Sequence, residues 1–99
     1  MQRKTLFALL DAVNIKSEEI YGTRHNLQCC LEELFELYHA ISKALRKNPD
    51  TVFEDENVIE EIADMDIVLT YLKTHIDDDV YINMLEKKVL KYNANLKIV

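Results

Sequence analysis

The sequence predicts an all-α protein built as an antiparallel four-helix bundle. Only one glycine and one proline occur among its 99 residues, which argues against a turn-rich β fold and against disorder. Apolar residues make up 48% of the chain, enough for one modest core. Four amphipathic segments follow one another with short breaks and with no internal repeat or linker. Residues 1–99 are therefore predicted to form a single helical domain.

The apolar periodicity and the helix-breaking residues set the predicted boundaries. Gly22 ends the first helix, because glycine is common just past a helix C-terminus. Pro49 stops the second helix, and a polar loop then extends to Asp55. The acidic run that begins at Asp77 supplies an N-cap and a favourable charge for the fourth helix. The predicted helices cover, in order, residues 3–21, 24–47, 56–76 and 79–96.

Three of these helices carry one apolar stripe each, which we expect to face the core of the bundle. The stripes are Leu6, Leu9, Leu10 and Val13 in the first helix, Leu27, Leu31, Leu34, Tyr38, Ile41 and Leu45 in the second, and Ile82, Leu85, Val89, Tyr92 and Leu96 in the fourth. The third helix is apolar nearly all the way round, which is more than one small bundle can cover. The surplus predicts a subunit interface in a homodimer or homotetramer.

Two short acidic motifs lie on the second and third predicted helices. A spacing of i, i+3 places Glu33 and Glu36 on one face of the second helix, and Glu61 and Asp64 on one face of the third. On facing helices, these pairs would bring four carboxylates together. Carboxylates that close cannot all stay ionised without a cation between them, and hard oxygen ligands suit Mg²⁺ or Mn²⁺.

The setting of the third helix favours a metal site over a solvated acidic face. On the second helix the acidic residues lie opposite the apolar stripe, a pattern that is common on exposed helices. Glu61 and Asp64, in contrast, lie within apolar surface, where a carboxylate is paired or bound to a metal. The alternative is a salt bridge, but Lys73 is the only lysine or arginine on this helix. A salt-bridge partner would therefore have to come from another helix.

The order and spacing of these motifs resemble a known family. The chain reads Glu32-Glu33-x-x-Glu36, then 24 residues, then Glu61-x-x-Asp64. This is similar to the EExxE…ExxD signature of the MazG-like all-α nucleoside triphosphate pyrophosphohydrolases. The resemblance implies a MazG-like bundle in which Glu33, Glu36, Glu61 and Asp64 ligate Mg²⁺. It also implies a catalytic role for Glu32, which would bind a second metal or orient the attacking water.

The lysines of the fourth helix have two readings. They are either ordinary solubilising charge or contacts to phosphate, because Mg²⁺ alone cannot neutralise a triphosphate. Members of the family often place lysine and asparagine or tyrosine near the nucleotide on this helix. The resemblance thus implies substrate binding by Lys88, Lys91, Tyr92 and Asn93, although an arginine expected beyond them is missing.

Composition narrows the function classes further. A net charge of -6 disfavours binding to the nucleic-acid backbone. The adjacent Cys29 and Cys30 point about 100° apart on a helix, so we do not expect them to bridge each other. Two cysteines in a chain without a secretory signal are typical of reduced thiols in a cytoplasmic protein. No apolar run is long enough to cross a bilayer.

We predict Mg²⁺-dependent hydrolysis of NTP or dNTP to NMP and pyrophosphate, in nucleotide-pool cleansing. The alternative is a non-catalytic helical module whose acidic face binds a basic partner.

Overall fold

A computed structural model describes residues 1–97, and every regular element in that range is helical. The prediction of an all-α chain is confirmed for these residues. The elements are α1 (Arg3–Lys47), a 3₁₀-helix (Pro49–Glu54), α2 (Glu56–Lys73) and α3 (Asp78–Leu96).

Gly22 divides α1 into two arms. Its backbone has φ 81° and ψ 165°, a conformation that is open to glycine and strained for other residues. The prediction that the first helix stops here is confirmed, because the helical conformation is broken at this residue. We call residues 3–21 the N-terminal arm and residues 23–47 the C-terminal arm.

The segment between α1 and α2 is more ordered than the polar loop that the sequence predicts. The side chain of Asn48 accepts a hydrogen bond of 3.0 Å from the backbone N–H of Asp50. Pro49 opens the 3₁₀-helix, and Val52 within it is buried. Val52 packs with Ala44 and Val58 in a small apolar cluster, so this short helix closes one end of the core.

Aspartates cap the two remaining helices. The carboxylate of Asp55 accepts hydrogen bonds from the backbone N–H groups of Asn57 and Val58, at 2.9 and 3.3 Å. Asp77 caps α3 in the same way, as the sequence predicts. α2 ends at Lys73, three residues before the predicted boundary.

The packed unit consists of α2 and the two arms of α1. The C-terminal arm runs antiparallel to α2, since Ala44 packs near Val58 at one end and Glu33 approaches Asp64 farther along. The N-terminal arm runs in the same direction as α2. The amide of Asn14 on that arm donates a hydrogen bond of 3.4 Å to a backbone carbonyl of α2.

α3 lies outside this packed unit. None of its residues, Asp78 to Leu96, is buried. Tyr81 of α3 places its ring 5.2 Å from the ammonium group of Lys73 on α2. A bundle that includes α3 therefore stays a prediction.

The predicted apolar stripes face mainly outward. In the C-terminal arm, Leu27, Leu31, Leu34 and Leu45 are 44–67% exposed, although the sequence places them in the core. The buried and half-buried side chains of this arm are instead mostly small or polar. From residue 23 onward they are Asn26, Cys29, Cys30, Glu33, Leu37, Ala40, Ile41, Ser42 and Ala44. The expected core face was therefore wrong for these four leucines, whereas Ile41 of the same stripe is half-buried and packs against the buried cluster, as expected.

Candidate metal centre

Three carboxylates from α1 and α2 meet where the two helices cross. Glu33, Glu61 and Asp64 each place one oxygen within 4.8 Å of the other two. All three side chains are half-buried. The antiparallel packing produces this group, because the i, i+3 spacing on each helix directs its acidic face toward the other helix.

Two oxygens in this group have no partner. Oε2 of Glu33 and Oε2 of Glu61 are buried, and neither accepts a hydrogen bond from any described residue. A buried carboxylate oxygen without a donor is costly, and native structures rarely leave one unexplained. Glu33 and Glu61 both belong to the converging group, so the group offers carboxylate oxygens as ligands for a cation.

The electrostatics of the group also disfavour four bare charges. Burial, together with the nearby charges of Asp64, Glu36 and Glu61, raises the pKa of Glu33 from 4.5 to about 7. Burial and the carboxylates of Glu36 and Asp64 also raise the pKa of Glu61. The fourth predicted ligand, Glu36, is therefore close enough to interact with both, although its side chain is exposed.

The salt-bridge alternative has no support within residues 1–97. The ion pairs there join Lys16 to Glu19 at 3.5 Å and His75 to Glu18 at 3.7 Å. Neither pair involves the four carboxylates. The donor set is oxygen alone, which fits Mg²⁺ or Mn²⁺ better than a metal that prefers sulfur or nitrogen.

The other predicted site residues lie apart from this group. Glu32 is exposed on α1 and is not one of the three converging carboxylates. Lys88, Lys91 and Tyr92 are exposed on α3, and Asn93 is half-buried. The packing of the described chain does not bring α3 onto the three carboxylates, so these roles stay predictions.

A cleft that the sequence analysis missed opens beside the carboxylates. It has a volume of about 220 Å³ and is bordered by Glu36 and Glu61. His39, Lys43 and Lys47 of α1 also line it. The available signal was their spacing, since positions 36, 39, 43 and 47 follow one helical face.

A polar network links the break in α1 at Gly22, which we call the Gly22 elbow, to α2. The sequence analysis did not predict this network. The carboxylate of Glu18 accepts hydrogen bonds from the hydroxyl groups of Thr23 and Tyr71, and the Tyr71 bond measures 2.5 Å. These bonds lower the pKa of Glu18, with that from Thr23 contributing most. Asn26 is buried, donates to Glu18 at 3.4 Å and accepts from Ser17 at 2.9 Å. The network fixes the angle between the two arms.

Comparison with known protein families, with curated proteins and with solved structures finds no match to this chain. Among the described residues, no helix combines the length and apolar character needed to cross a membrane. Both cysteines are free thiols, so the adjacent pair does not form a disulfide, as expected.

Proposed function

We propose that this chain is a Mg²⁺-dependent nucleotide pyrophosphohydrolase that converts NTP or dNTP to NMP and pyrophosphate. The observation that carries the proposal is the convergence of the carboxylates of Glu33, Glu61 and Asp64, of which Glu33 and Glu61 each keep one buried oxygen without a hydrogen-bond partner. The EExxE…ExxD spacing adds the reaction class by resemblance. A cytoplasmic role in cleansing the nucleotide pool suits a hydrolase of this kind.

Each carboxylate has a task in this reaction. Glu33, Glu36, Glu61 and Asp64 would hold Mg²⁺, which when bound neutralises negative charge on the phosphoryl oxygens. Glu32, exposed on the neighbouring face of α1, would orient the attacking water and take up its proton. Attack at the α-phosphorus breaks the bond between the α- and β-phosphates and releases pyrophosphate.

Assembly is part of the proposal, because the single chain leaves too much surface uncovered. Its accessible area is 8439 Å², whereas a folded monomer of 11.6 kDa exposes about 5,800 Å². Its radius of gyration is 16.4 Å, against about 12.6 Å for a compact chain of this length. The excess of about 2,600 Å² per chain is of the size that an obligate symmetric oligomer buries. A second copy would cover the outward apolar stripes in a MazG-like homodimer or homotetramer.

An apolar groove supports this proposal of assembly. One groove of about 420 Å³ lies between the C-terminal arm and α2, and Leu31, Leu34 and Leu69 are among its lining residues. The unpacked stripe of α3 has matching apolar chemistry. An α3 docked there from a second copy would complete a four-helix arrangement around each acidic site.

The rival function is a non-catalytic helical module whose acidic face binds a basic partner. Net charge and exposed acidic residues such as Glu32 suit it as well as they suit catalysis. The buried, unpaired oxygens favour the metal instead, because a basic partner on the surface would not reach them.

Two linked measurements test the proposed function. We expect Mg²⁺ to raise the melting temperature, and we expect a screen of NTPs and dNTPs to find Mg²⁺-dependent release of pyrophosphate. Glu61→Gln and Asp64→Asn should abolish both responses, whereas Glu60→Gln, at an exposed neighbouring position, should keep them. Normal hydrolysis by the Glu61 and Asp64 variants would refute the site. A Mg²⁺ response without hydrolysis of any nucleotide would keep the metal site but refute the hydrolase, and the absence of both responses would favour the binding module.

A further inference from the structure

The cleft beside the metal centre combines cations with the edge of an acidic site. Glu36 and Glu61 border the cleft, and Lys43 and Lys47 line it farther along α1. His39 lies between them and stacks on Phe35, with ring centroids 6.5 Å apart and planes 12° from parallel. Along α1, the residues that line the cleft thus change from Glu36 to His39 and then to two lysines.

Helix geometry directs the lysines toward the carboxylates. Lys43 is two turns beyond Glu36, a rise of about 10.5 Å along the axis, and Lys47 lies one further turn away. Side chains on a helix lean toward its N-terminus, so both lysines lean back in the direction of Glu36. Their ammonium groups can therefore approach a ligand that is held at the metal centre and extends along the cleft.

The charges of the two cleft lysines are not balanced by ion pairs within the described residues. Neither Lys43 nor Lys47 forms an ion pair with another residue of the range 1–97, although carboxylates border the same cleft. The nearby carboxylate of Asp55 accepts hydrogen bonds from the start of α2. Two unpaired ammonium groups in a cleft favour an anionic ligand, and their spacing suits an extended one.

We infer that Lys43 and Lys47, with His39, bind the β- and γ-phosphates of the substrate, the half that leaves as pyrophosphate. This inference rests on the proposed function and gives the substrate a direction. The phosphate chain runs from the metal centre toward the end of α1, and the nucleoside lies toward the Gly22 elbow. Nucleoside triphosphates are then favoured over diphosphates and monophosphates, which reach fewer of these cations.

Titration calorimetry with magnesium pyrophosphate tests this assignment directly. We expect Lys43→Gln and Lys47→Gln each to weaken binding about tenfold, since each removes one charge-assisted contact to phosphate. Arg46→Gln is the matched control, because it removes one positive charge from the same exposed turn without altering the cleft lining. It should change the affinity less than twofold.

The outcomes separate this inference from the proposed function. If all three variants bind magnesium pyrophosphate as the wild type does, the inference fails. It also fails if Lys88→Gln and Lys91→Gln on α3 produce the loss instead. In both cases the proposed function stands, provided that wild-type protein still responds to Mg²⁺ and releases pyrophosphate from nucleotides. If wild-type protein binds neither Mg²⁺ nor magnesium pyrophosphate, both are overturned.

Discussion

Replacing Glu33 by glutamine should stabilise the metal-free protein at neutral pH. Because the pKa of this side chain is raised from 4.5 to about 7, the folded state binds a proton more tightly than the unfolded state. The associated stabilisation is fully present below pH 4.5. It is lost as the pH rises from 4.5 to about 7, where the native carboxyl ionises. Glu33→Gln resembles the protonated side chain at every pH, so it escapes this loss.

The size of the effect follows from the pKa change and the exposure of the site. A change from 4.5 to about 7 corresponds to at most about 3.4 kcal/mol. The Glu33 side chain is partly exposed to solvent, so screening reduces the expected gain in the free energy of unfolding to about 1–2 kcal/mol. For a domain of this length, that gain raises the melting temperature by roughly 5–10 °C.

Thermal unfolding followed by circular dichroism at pH 5 and pH 8 measures the effect, with EDTA or excess Mg²⁺ and at one fixed protein concentration. Wild-type protein in EDTA should be less stable at pH 8 than at pH 5, and Mg²⁺ should reverse the difference. Glu33→Gln should show a weaker pH dependence than wild type, since only the raised pKa of Glu61 remains, and little response to Mg²⁺. Glu32→Gln, at the exposed adjacent position, should behave as the wild type in EDTA. A Glu33→Gln variant less stable than wild type at pH 8 without metal would refute the repulsion argument.

Three further outcomes follow from the fold. Light scattering over a dilution series should give the mass of a dimer or tetramer, and a compact monomer at every concentration would contradict the assembly proposal. Gly22→Ala should lower the free energy of unfolding by about 1–3 kcal/mol in a urea titration, because a residue with a Cβ is strained at φ 81°. The added Cβ itself would meet no atom within 4 Å, so the loss would come from the backbone conformation. Tyr71→Phe should cost about 1–2 kcal/mol by removing the bond to Glu18. A double-mutant cycle with Glu18→Gln that shows no coupling would count against the elbow network.

Local signals predicted most of the helical boundaries. Gly22 breaks α1, Pro49 ends its C-terminal arm, and Asp77 caps α3, each for a reason that operates within a few residues. The 3₁₀-helix was missed because its formation depends on burying Val52 against Ala44 and Val58, a tertiary contact. Periodicity within one segment does not contain that information.

The candidate metal ligands were also accessible to sequence reasoning, but their surroundings were not. Helical spacing alone pairs Glu33 with Glu36 and Glu61 with Asp64, and the structure brings three of them together. The two cations of the cleft escaped notice because an isolated lysine on a helix looks like ordinary surface charge. Helical spacing places Lys43 and Lys47 on the same face as Glu36, but the cleft itself forms only where α1 packs beside the start of α2.

The orientation of the helices links the site to assembly. A self-sufficient domain turns its apolar faces inward and its charges outward, because burial of apolar area is the main favourable term in folding. This chain does the reverse in part: α1 and α2 meet through carboxylates, and leucine stripes face outward. In the function that we propose, a cation compensates the inner face and a second copy covers the outer one. Because the same two helices carry both faces, loss of the cation should weaken the packing on which the oligomer depends.

Mg²⁺ should therefore shift the association equilibrium as well as the melting temperature. Light scattering near the dissociation midpoint, with and without EDTA, would detect the shift, and an association constant unaffected by Mg²⁺ would show that the two faces act independently.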